Sequence, residues 1–410
     1  MAHVYAKFGV PVTPELERAL RAAKRPGNWN AGRKLLEPGR VWKRNATGSV
    51  LAVPPNGFDQ EYISPVQIGT PPQTVFLALD TGSSDLWTLS STTPSHQLLP
   101  QHRTYSPQNS TTSIHVPSER PWQVLYGDGS AAQGTTYLDR VSLSANLSVA
   151  RQPVGAATAV SAEFTSDPFL SGILGLGFSK GSSSSALRPY RMPTFIENLA
   201  PQLERPVFAA DLRAASPGRF SFGGVDPDGY TGRITWEKVS AESPYWLFNV
   251  RASQVTVTAG GSNETKTKTK TKTVRHAGKA GVLRAIADTG TSLVMLPRRM
   301  VDEYYAAVPG ARYDEKWAGV LVPCRARLPD WSFFVGEEVE GEQESEQHVG
   351  TVPGRYINFG PVNGTHCFGG IQSADGFGFA VFGDVLLKAQ YVVFDVGNMR
   401  IGFANKKLAT

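Results

Sequence analysis

The sequence contains two copies of a pattern in which an aspartate follows an aliphatic run and precedes Thr-Gly and a hydroxyl residue. In the first copy Asp80 follows the apolar residues 77–79, and in the second Asp288 follows residues 286–287. A single Asp-Thr-Gly is typical of an ordinary turn, because Asp and Gly are common turn residues. Duplication of the whole pattern indicates two related halves that each supply one carboxylate.

A pair of aspartates can hydrolyse a carbonyl compound. Two carboxyls within hydrogen-bond distance do not both ionise easily, so they share a proton. The ionised member takes a proton from a water molecule, and the protonated member gives one to the carbonyl of the substrate. Glycine after each Asp-Thr pair permits a tight turn. The residues expected to support the pair through their turns and hydroxyls are Thr81, Gly82, Ser83, Thr289, Gly290 and Thr291.

Composition indicates a mostly β protein. The 410 residues suffice for two domains, and 41 Gly and 29 Pro separate many short Val, Ile, Phe and Tyr runs. The sequence has no apolar run of membrane-spanning length. The net charge of +6 arises from the first 47 residues, which contain ten Lys or Arg and three Asp or Glu. The near-neutral remainder predicts neither a nucleic-acid partner nor a membrane partner.

Three further motifs accompany the two aspartates, and together they carry a family resemblance. They are YGDGS at residues 126–130, GILGLG at residues 172–177 and FGDVLLKAQY at residues 382–391. With these motifs the chain resembles the pepsin-like aspartic endopeptidases, closest to the fungal penicillopepsin and aspergillopepsin group. The likeness runs from about residue 48 to residue 404. It implies a bilobal pepsin-like fold with two duplicated β-barrel-like lobes and a cleft between them.

The resemblance implies roles for specific residues. Asp80 and Asp288 would be catalytic, without a metal or cofactor. The hairpin with Tyr126, Gly127 and Asp128 would be a flap that closes over substrate. On the residues alone, Tyr126 could also be an ordinary hairpin aromatic, and Asp128 could simply cap its own turn. The family pattern further implies that Trp87 holds the flap and that Phe164 and Ile173 form an apolar pocket wall, although Ser171 replaces the Asp or Asn usual before Gly-Ile-Leu-Gly.

The resemblance also implies a division of the chain. Residues 1–47 would be a basic pro-segment that inhibits its own enzyme, residues 48–228 the N-terminal lobe and residues 229–410 the C-terminal lobe. The dibasic Lys43-Arg44 suits processing, although it could be a solvated charge pair. No apolar core of a signal peptide is visible near the N-terminus. We nevertheless expect a secreted monomer that cleaves peptide substrates, is blocked by pepstatin-like inhibitors, and has a signal peptide missing from this chain.

The cysteines and sequons fit this expectation. In the resembled family a cystine lies in the C-terminal lobe, so Cys324 and Cys367 are expected to be bridged, the alternative being two free thiols. Five Asn-x-Ser/Thr sequons suggest a glycoprotein: Asn45, Asn109, Asn146, Asn263 and Asn363. Alternating Lys and Thr at residues 266–273 predicts an extended hairpin tip, and the acidic residues 337–347 predict a second solvated insertion.

Two other functions remain open on the residues alone. A pepsin-fold binding or inhibitor protein would have lost activity, but such proteins usually lack an Asp, a flanking Gly or the flap tyrosine. A glycosidase also uses two carboxylates, but these need not lie in duplicated Asp-Thr-Gly turns. The sequence therefore predicts an aspartic endopeptidase.

Overall fold

The computed structural model describes residues 45–55, 59–117, 122–126, 130–179, 192–259, 268–275, 283–336 and 347–408. Most of the expected pro-segment, the flap-tip residues Gly127 and Asp128, and most of the acidic insertion therefore lie outside the described residues. The described chain is mostly β, as the sequence predicts. Of the helices that are described, none is long and apolar enough to cross a membrane.

Twenty-seven strands and five short α-helices are assigned within these ranges. The strands are β1 Gly48–Ala52, β2 Ile63–Ile68, β3 Gln73–Asp80, β4 Leu86–Leu89, β5 Ile114–His115, β6 Trp122–Leu125, β7 Ala131–Ser144, β8 Leu147–Val160, β9 Gly172–Gly175, β10 Val207–Arg213, β11 Ser216–Phe222, β12 Thr231–Lys238, β13 Leu247–Val250, β14 Ala252–Ala259, β15 Lys268–Arg275, β16 Leu283–Ala287, β17 Val294–Leu296, β18 Arg312–Asp314, β19 Gly319–Pro323, β20 Asp330–Val335, β21 His348–Val352, β22 Asn358–Pro361, β23 His366–Gly369, β24 Ile371–Ser373, β25 Ala380–Phe382, β26 Gln390–Asp395 and β27 Arg400–Asn405. The helices are α1 Ala162–Thr165, α2 Phe195–Leu199, α3 Arg298–Tyr305, α4 Gly354–Ile357 and α5 Asp384–Leu387.

An eight-stranded sheet holds the first aspartate. Its main path is β2-β3-β9-β4-β8-β7-β5, with β6 paired to β7. Strand β3 ends at Asp80 and pairs in parallel with β9, so that Asp80 lies opposite Gly175. The last six residues of β3 are all buried, because the strand is covered on both faces. The carboxylate therefore stands at the end of a rigid central strand.

The second half repeats this arrangement around the second aspartate. A five-stranded sheet has the order β13-β16-β25-β17-β24. Strand β16 pairs in parallel with β25, as β3 does with β9, and β17 runs antiparallel to β25, as β4 does to β9. Asp288 follows directly after β16. The sequence duplication therefore corresponds to a duplicated strand arrangement, in agreement with the predicted pepsin-like fold.

A six-stranded sheet joins the two halves. Its order is β1-β11-β10-β26-β27-β12, with β10 from the first half paired to β26 from the second. The rings of Phe208 and Phe394 stack across this junction with centroids 4.6 Å apart, and Trp246 meets Phe394 edge-on at 5.1 Å. These buried rings belong to one hydrophobic cluster that draws on both halves. The junction is therefore a packed core, which fixes the two aspartates relative to each other.

Two smaller predictions can be compared with this fold. Cys324 and Cys367 form a disulfide, which ties the end of β19 to β23. This pairing is confirmed. Strand β15 contains much of the Lys-Thr repeat and pairs along its length with β14, so the strand part of that prediction is also confirmed. Residues 260–267, between the two strands, lie outside the described residues.

Candidate active site

The two Asp-Thr-Gly turns meet face to face. Asp80 and Asp288 are both buried, with 5% and 8% of their surface exposed. A Cβ atom added to Gly82 would lie 2.3 Å from the Asp288 carboxyl carbon, and one added to Gly290 would lie 2.3 Å from Asp80 Oδ1. Each glycine therefore packs against the opposite carboxylate, so that any side chain there would push the pair apart.

The threonines interlock the two turns. Thr81 Oγ1 donates a hydrogen bond to the carbonyl of Ala287 at 2.8 Å and accepts one from the Thr289 amide at 3.0 Å. Thr289 Oγ1 makes the reciprocal pair, donating to the carbonyl of Leu79 and accepting from the Thr81 amide. Both threonines are buried. Four hydrogen bonds between residues about 200 positions apart thus hold the aspartates together.

Each carboxylate is also oriented from its own turn. Asp80 accepts hydrogen bonds from the Gly82 amide at 2.8 Å and from Ser83 Oγ at 2.5 Å. Asp288 accepts from the Gly290 amide at 2.8 Å and from Thr291 Oγ1 at 2.7 Å. The arrangement is nearly symmetric, so hydroxyls and amides hold both carboxyl planes.

Burial raises the pKa of Asp80 well above its usual range, and the charge of Asp288 raises it further. The hydrogen bonds from Ser83 and from the Gly82 amide oppose this rise because they favour the ionised form. Burial, followed by the charges of Asp288 and Asp80, also raises the pKa of Tyr245, which lines the same cavity. Negative charge therefore concentrates at the dyad, as expected for two carboxyls that share a proton.

The predicted flap and pocket residues come together beside the dyad. Trp87 Nε1 donates a hydrogen bond to the Tyr126 hydroxyl at 2.7 Å. The ring of Phe164 meets Trp87 at 4.8 Å and Tyr126 at 5.7 Å, both edge-on. Ile173 belongs to the same buried cluster. Tyr126, Phe164 and Ile173 line the cavity that contains both aspartates.

This cavity has a volume of about 270 Å³ and draws walls from both halves. The sequence did not single out the aromatic part of the cavity wall that comes from Tyr245, Phe377 and Phe379. Tyr245 and Phe379 lie 5.7 Å apart, whereas Phe377 and Phe379 stack at 6.5 Å. Phe377 lies between Gly376 and Gly378, both with positive φ. No local pattern marks these residues, because they meet only through the fold.

Acidic residues outside the dyad also lie at or near the cavity. Burial raises the pKa of Glu61 well above its usual range, and the charge of Asp167 raises it further. The pKa of Asp384 is also raised well above its usual range, mainly by burial and next by the charge of Asp288. Neither carboxylate oxygen of Asp384 has a hydrogen-bond partner among the described residues. Sequence reasoning missed these groups because their burial is not visible in the motifs.

The departure at Ser171 affects a backbone junction. Its carbonyl accepts hydrogen bonds from the Leu89 amide and from Thr88 Oγ1, while its own hydroxyl makes none with the described residues.

The residues described here contain no group of three His, Cys, Asp or Glu placed to hold a metal ion.

Comparisons with known proteins agree with this geometry. The family model for eukaryotic aspartyl proteases matches residues 61–406. The chain is 39% identical to endothiapepsin of Cryphonectria parasitica over 405 residues, which cover 98% of this chain and 85% of the relative. It is 40% identical to aspergillopepsin-1 of Aspergillus pseudoglaucus over 359 residues, covering 88% and 82%. It is 37% identical to penicillopepsin-1 of Talaromyces stipitatus over 350 residues, covering 85% and 79%. The chain therefore belongs to the eukaryotic aspartyl protease family and is an aspartic-type endopeptidase.

Proposed function

We propose that Asp80 and Asp288 are the catalytic pair and hydrolyse peptide bonds through a water molecule held between them. The observation that carries this proposal is the reciprocal packing of each turn glycine on the opposite carboxylate. One shared proton leaves one carboxyl to take a proton from the water and the other to protonate the peptide carbonyl. Because the mechanism needs the shared proton, which is lost as pH rises, the enzyme works best at acid pH.

The residues around the pair support it in two ways. Ser83 and Thr291 donate to the outer carboxylate oxygens, so each hydroxyl keeps its carboxyl in the plane from which it can face the water. Thr81 and Thr289 join the turns, and Gly82 and Gly290 leave room for the approach. These residues position the two carboxyls and do not themselves transfer protons.

Substrate selection follows from the cavity walls. Phe164, Ile173 and the ring of Tyr126 form an apolar pocket for the side chain before the scissile bond. Bulky apolar side chains are preferred there, because each burial contributes roughly 1.5 to 3 kcal/mol. The Trp87 hydrogen bond holds Tyr126 against this pocket, which suits a flap that closes over the peptide.

We also propose that Asp128, which lies outside the described residues, provides a carboxylate that allows lysine before the scissile bond. To test this, the rates of cleavage after Lys and after Phe are measured for the wild type and for Asp128→Thr. A selective loss for Lys supports a charge at the pocket rim, since an apolar pocket rejects an ammonium group. Equal losses for both substrates mean that Asp128 only caps its turn.

The N-terminal segment keeps the enzyme latent. Residues 1–47 carry the basic excess of the chain, and their attraction to cleft carboxylates weakens when these take up protons. We further propose that the protein is a secreted, monomeric and glycosylated zymogen with lobes at residues 48–228 and 229–410. It needs no cofactor, and pepstatin-like compounds inhibit it by occupying the dyad.

One experiment tests this function. The purified full chain is held at pH 7, acidified, and analysed by N-terminal sequencing and by cleavage of a peptide library with and without pepstatin. We expect latency near neutral pH, a new N-terminus after acidification, cleavage beside apolar residues, and inhibition by pepstatin but not by EDTA. Full activity of the uncleaved chain at pH 7 contradicts the zymogen, and loss of activity in EDTA contradicts the metal-free mechanism.

A further inference from the structure

We propose that His102 is a positioning residue for substrate selection, although it does not line the cavity. It binds the carbonyl of Asp167 and thereby fixes the loop that follows Phe164 in the pocket wall. This inference rests on the proposed function, because it concerns the pocket before the scissile bond.

Two contacts define the state of the imidazole ring. His102 Nδ1 lies 3.0 Å from the Leu99 amide, and Nε2 lies 2.6 Å from the Asp167 carbonyl oxygen. Since the amide donates to Nδ1, the ring proton is on Nε2, and Nε2 donates to the carbonyl. The ring therefore donates to the Asp167 carbonyl through Nε2 and accepts from the Leu99 amide through Nδ1.

The peptide group that contains the Asp167 carbonyl cannot donate a hydrogen bond. The next residue is Pro168, which has no amide N–H, so this peptide can be held only through its carbonyl. The Asp167 carboxylate accepts hydrogen bonds from two amides that follow it in the chain, those of Phe169 at 2.8 Å and Leu170 at 3.2 Å. The Asp167 side chain also makes a hydrogen bond to the Glu61 side chain. His102 thus supplies the external anchor for the backbone of this turn.

The anchored loop forms one side of the cavity. Phe164 in α1, Asp167 and Leu170 all line the cavity that contains the catalytic pair. Phe164 also contacts the rings of Trp87 and Tyr126. A shift of the Asp167 turn therefore changes both the shape of the pocket and the surface on which the flap tyrosine rests.

The segment that carries His102 is itself firmly held. Tyr105, three residues later, is fully buried, and its amide donates to the Leu89 carbonyl at 2.9 Å. The Tyr105 carbonyl accepts from the Ser91 amide at 2.9 Å. Leu98 packs against the cluster that contains Trp87 and Phe164. His102 therefore stands on a fixed support beside the wall.

Three substitutions separate the two hydrogen bonds of the ring. Gln at position 102 places an amide donor near Nε2, whereas Asn places an amide oxygen near Nδ1. His102→Gln thus keeps the bond to Asp167, His102→Asn keeps the bond to Leu99, and His102→Ala keeps neither. The assay compares kcat/KM for peptides that differ only in Phe or Ala before the scissile bond. Because a hydrogen bond contributes about 1 kcal/mol, we expect the Phe-to-Ala ratio to fall about fivefold in His102→Asn and His102→Ala.

His102→Gln should retain the wild-type Phe-to-Ala ratio. A general loss of stability would not spare the Gln variant in this way, so its behaviour separates a positioning role from a structural one. The inference is overturned if the ratio is unchanged in His102→Ala, or if Asn restores it as well as Gln does. If His102→Ala does not fold, the Gln and Asn pair decides alone. The dissociation constants of both peptides are measured alongside, so that absent turnover in the wild type refutes the proposed function while the binding ratio still tests His102.

Discussion

The threonine interlock allows a quantitative test of how the two halves hold the dyad. Replacing Thr81 with Val conserves shape but removes a hydroxyl that makes two hydrogen bonds to the other half. The substitution leaves the Ala287 carbonyl and the Thr289 amide without these partners in a buried region. An unpaired buried polar group costs about 1 to 3 kcal/mol, so the free energy of unfolding should fall by about 2 to 6 kcal/mol.

Thr81→Ser is the matched control, because it keeps the hydroxyl and removes only the methyl group. The free energy of unfolding is measured by urea titration for wild type, Thr81→Val, Thr81→Ser and the symmetric Thr289→Val. The kcat of each folded variant is measured on one peptide substrate. We expect both Val variants to lose kcat by about 10²-fold or more, because a small misplacement of reacting groups is costly.

The reasoning is refuted if Thr81→Val and Thr81→Ser have the same stability and the same kcat. A large loss of stability with an unchanged kcat of the folded protein would refute only the expected effect on catalysis. In that case the hydroxyls would hold the halves together without setting the geometry of the carboxyls.

Two further predictions concern the flap and a buried carboxyl. Tyr126→Phe removes the acceptor of the Trp87 indole N–H, so kcat/KM should fall about tenfold, and an unchanged value would show that this bond does not order the flap. Burial raises the pKa of Asp384, so its protonated form favours folding, and the free energy of unfolding falls as pH rises from about 4 through the raised pKa. Asp384→Asn should therefore match wild type at low pH and be more stable at pH 7, by up to about 1.4 kcal/mol for each unit of the shift. Parallel pH profiles of the thermal midpoint would contradict this assignment.

Much of the architecture could be predicted from local sequence because the fold is duplicated. The repeated Asp-Thr-Gly turns are visible twice, and each depends on adjacent residues alone. The alternation of Lys and Thr likewise reports a strand, since side chains alternate along an extended chain. The Cys324–Cys367 disulfide was predicted through family resemblance, since two cysteines without that context could also have been free thiols.

The remaining features of the site depend on contacts between distant segments. Tyr245 and Phe379 approach each other across more than one hundred residues, and neither has a motif of its own. Asp384 lies inside the quoted FGDVLLKAQY motif, but only the packing of α5 shows that its carboxylate is buried without a hydrogen-bond partner among the described residues. His102 lies in a stretch without periodic pattern, so its bond to Asp167 could not be inferred before the two loops were placed together.

The central claim is that Asp80 and Asp288 together hydrolyse the peptide bond. The most direct measurement is the kcat/KM of Asp80→Asn and Asp288→Asn on a peptide with apolar residues flanking the scissile bond, at the pH at which the wild type is most active. Each variant conserves shape but cannot act as acid or base, so each should lose at least about 10²- to 10⁴-fold while its thermal unfolding stays cooperative. Near-normal turnover by either folded variant would contradict the dyad mechanism.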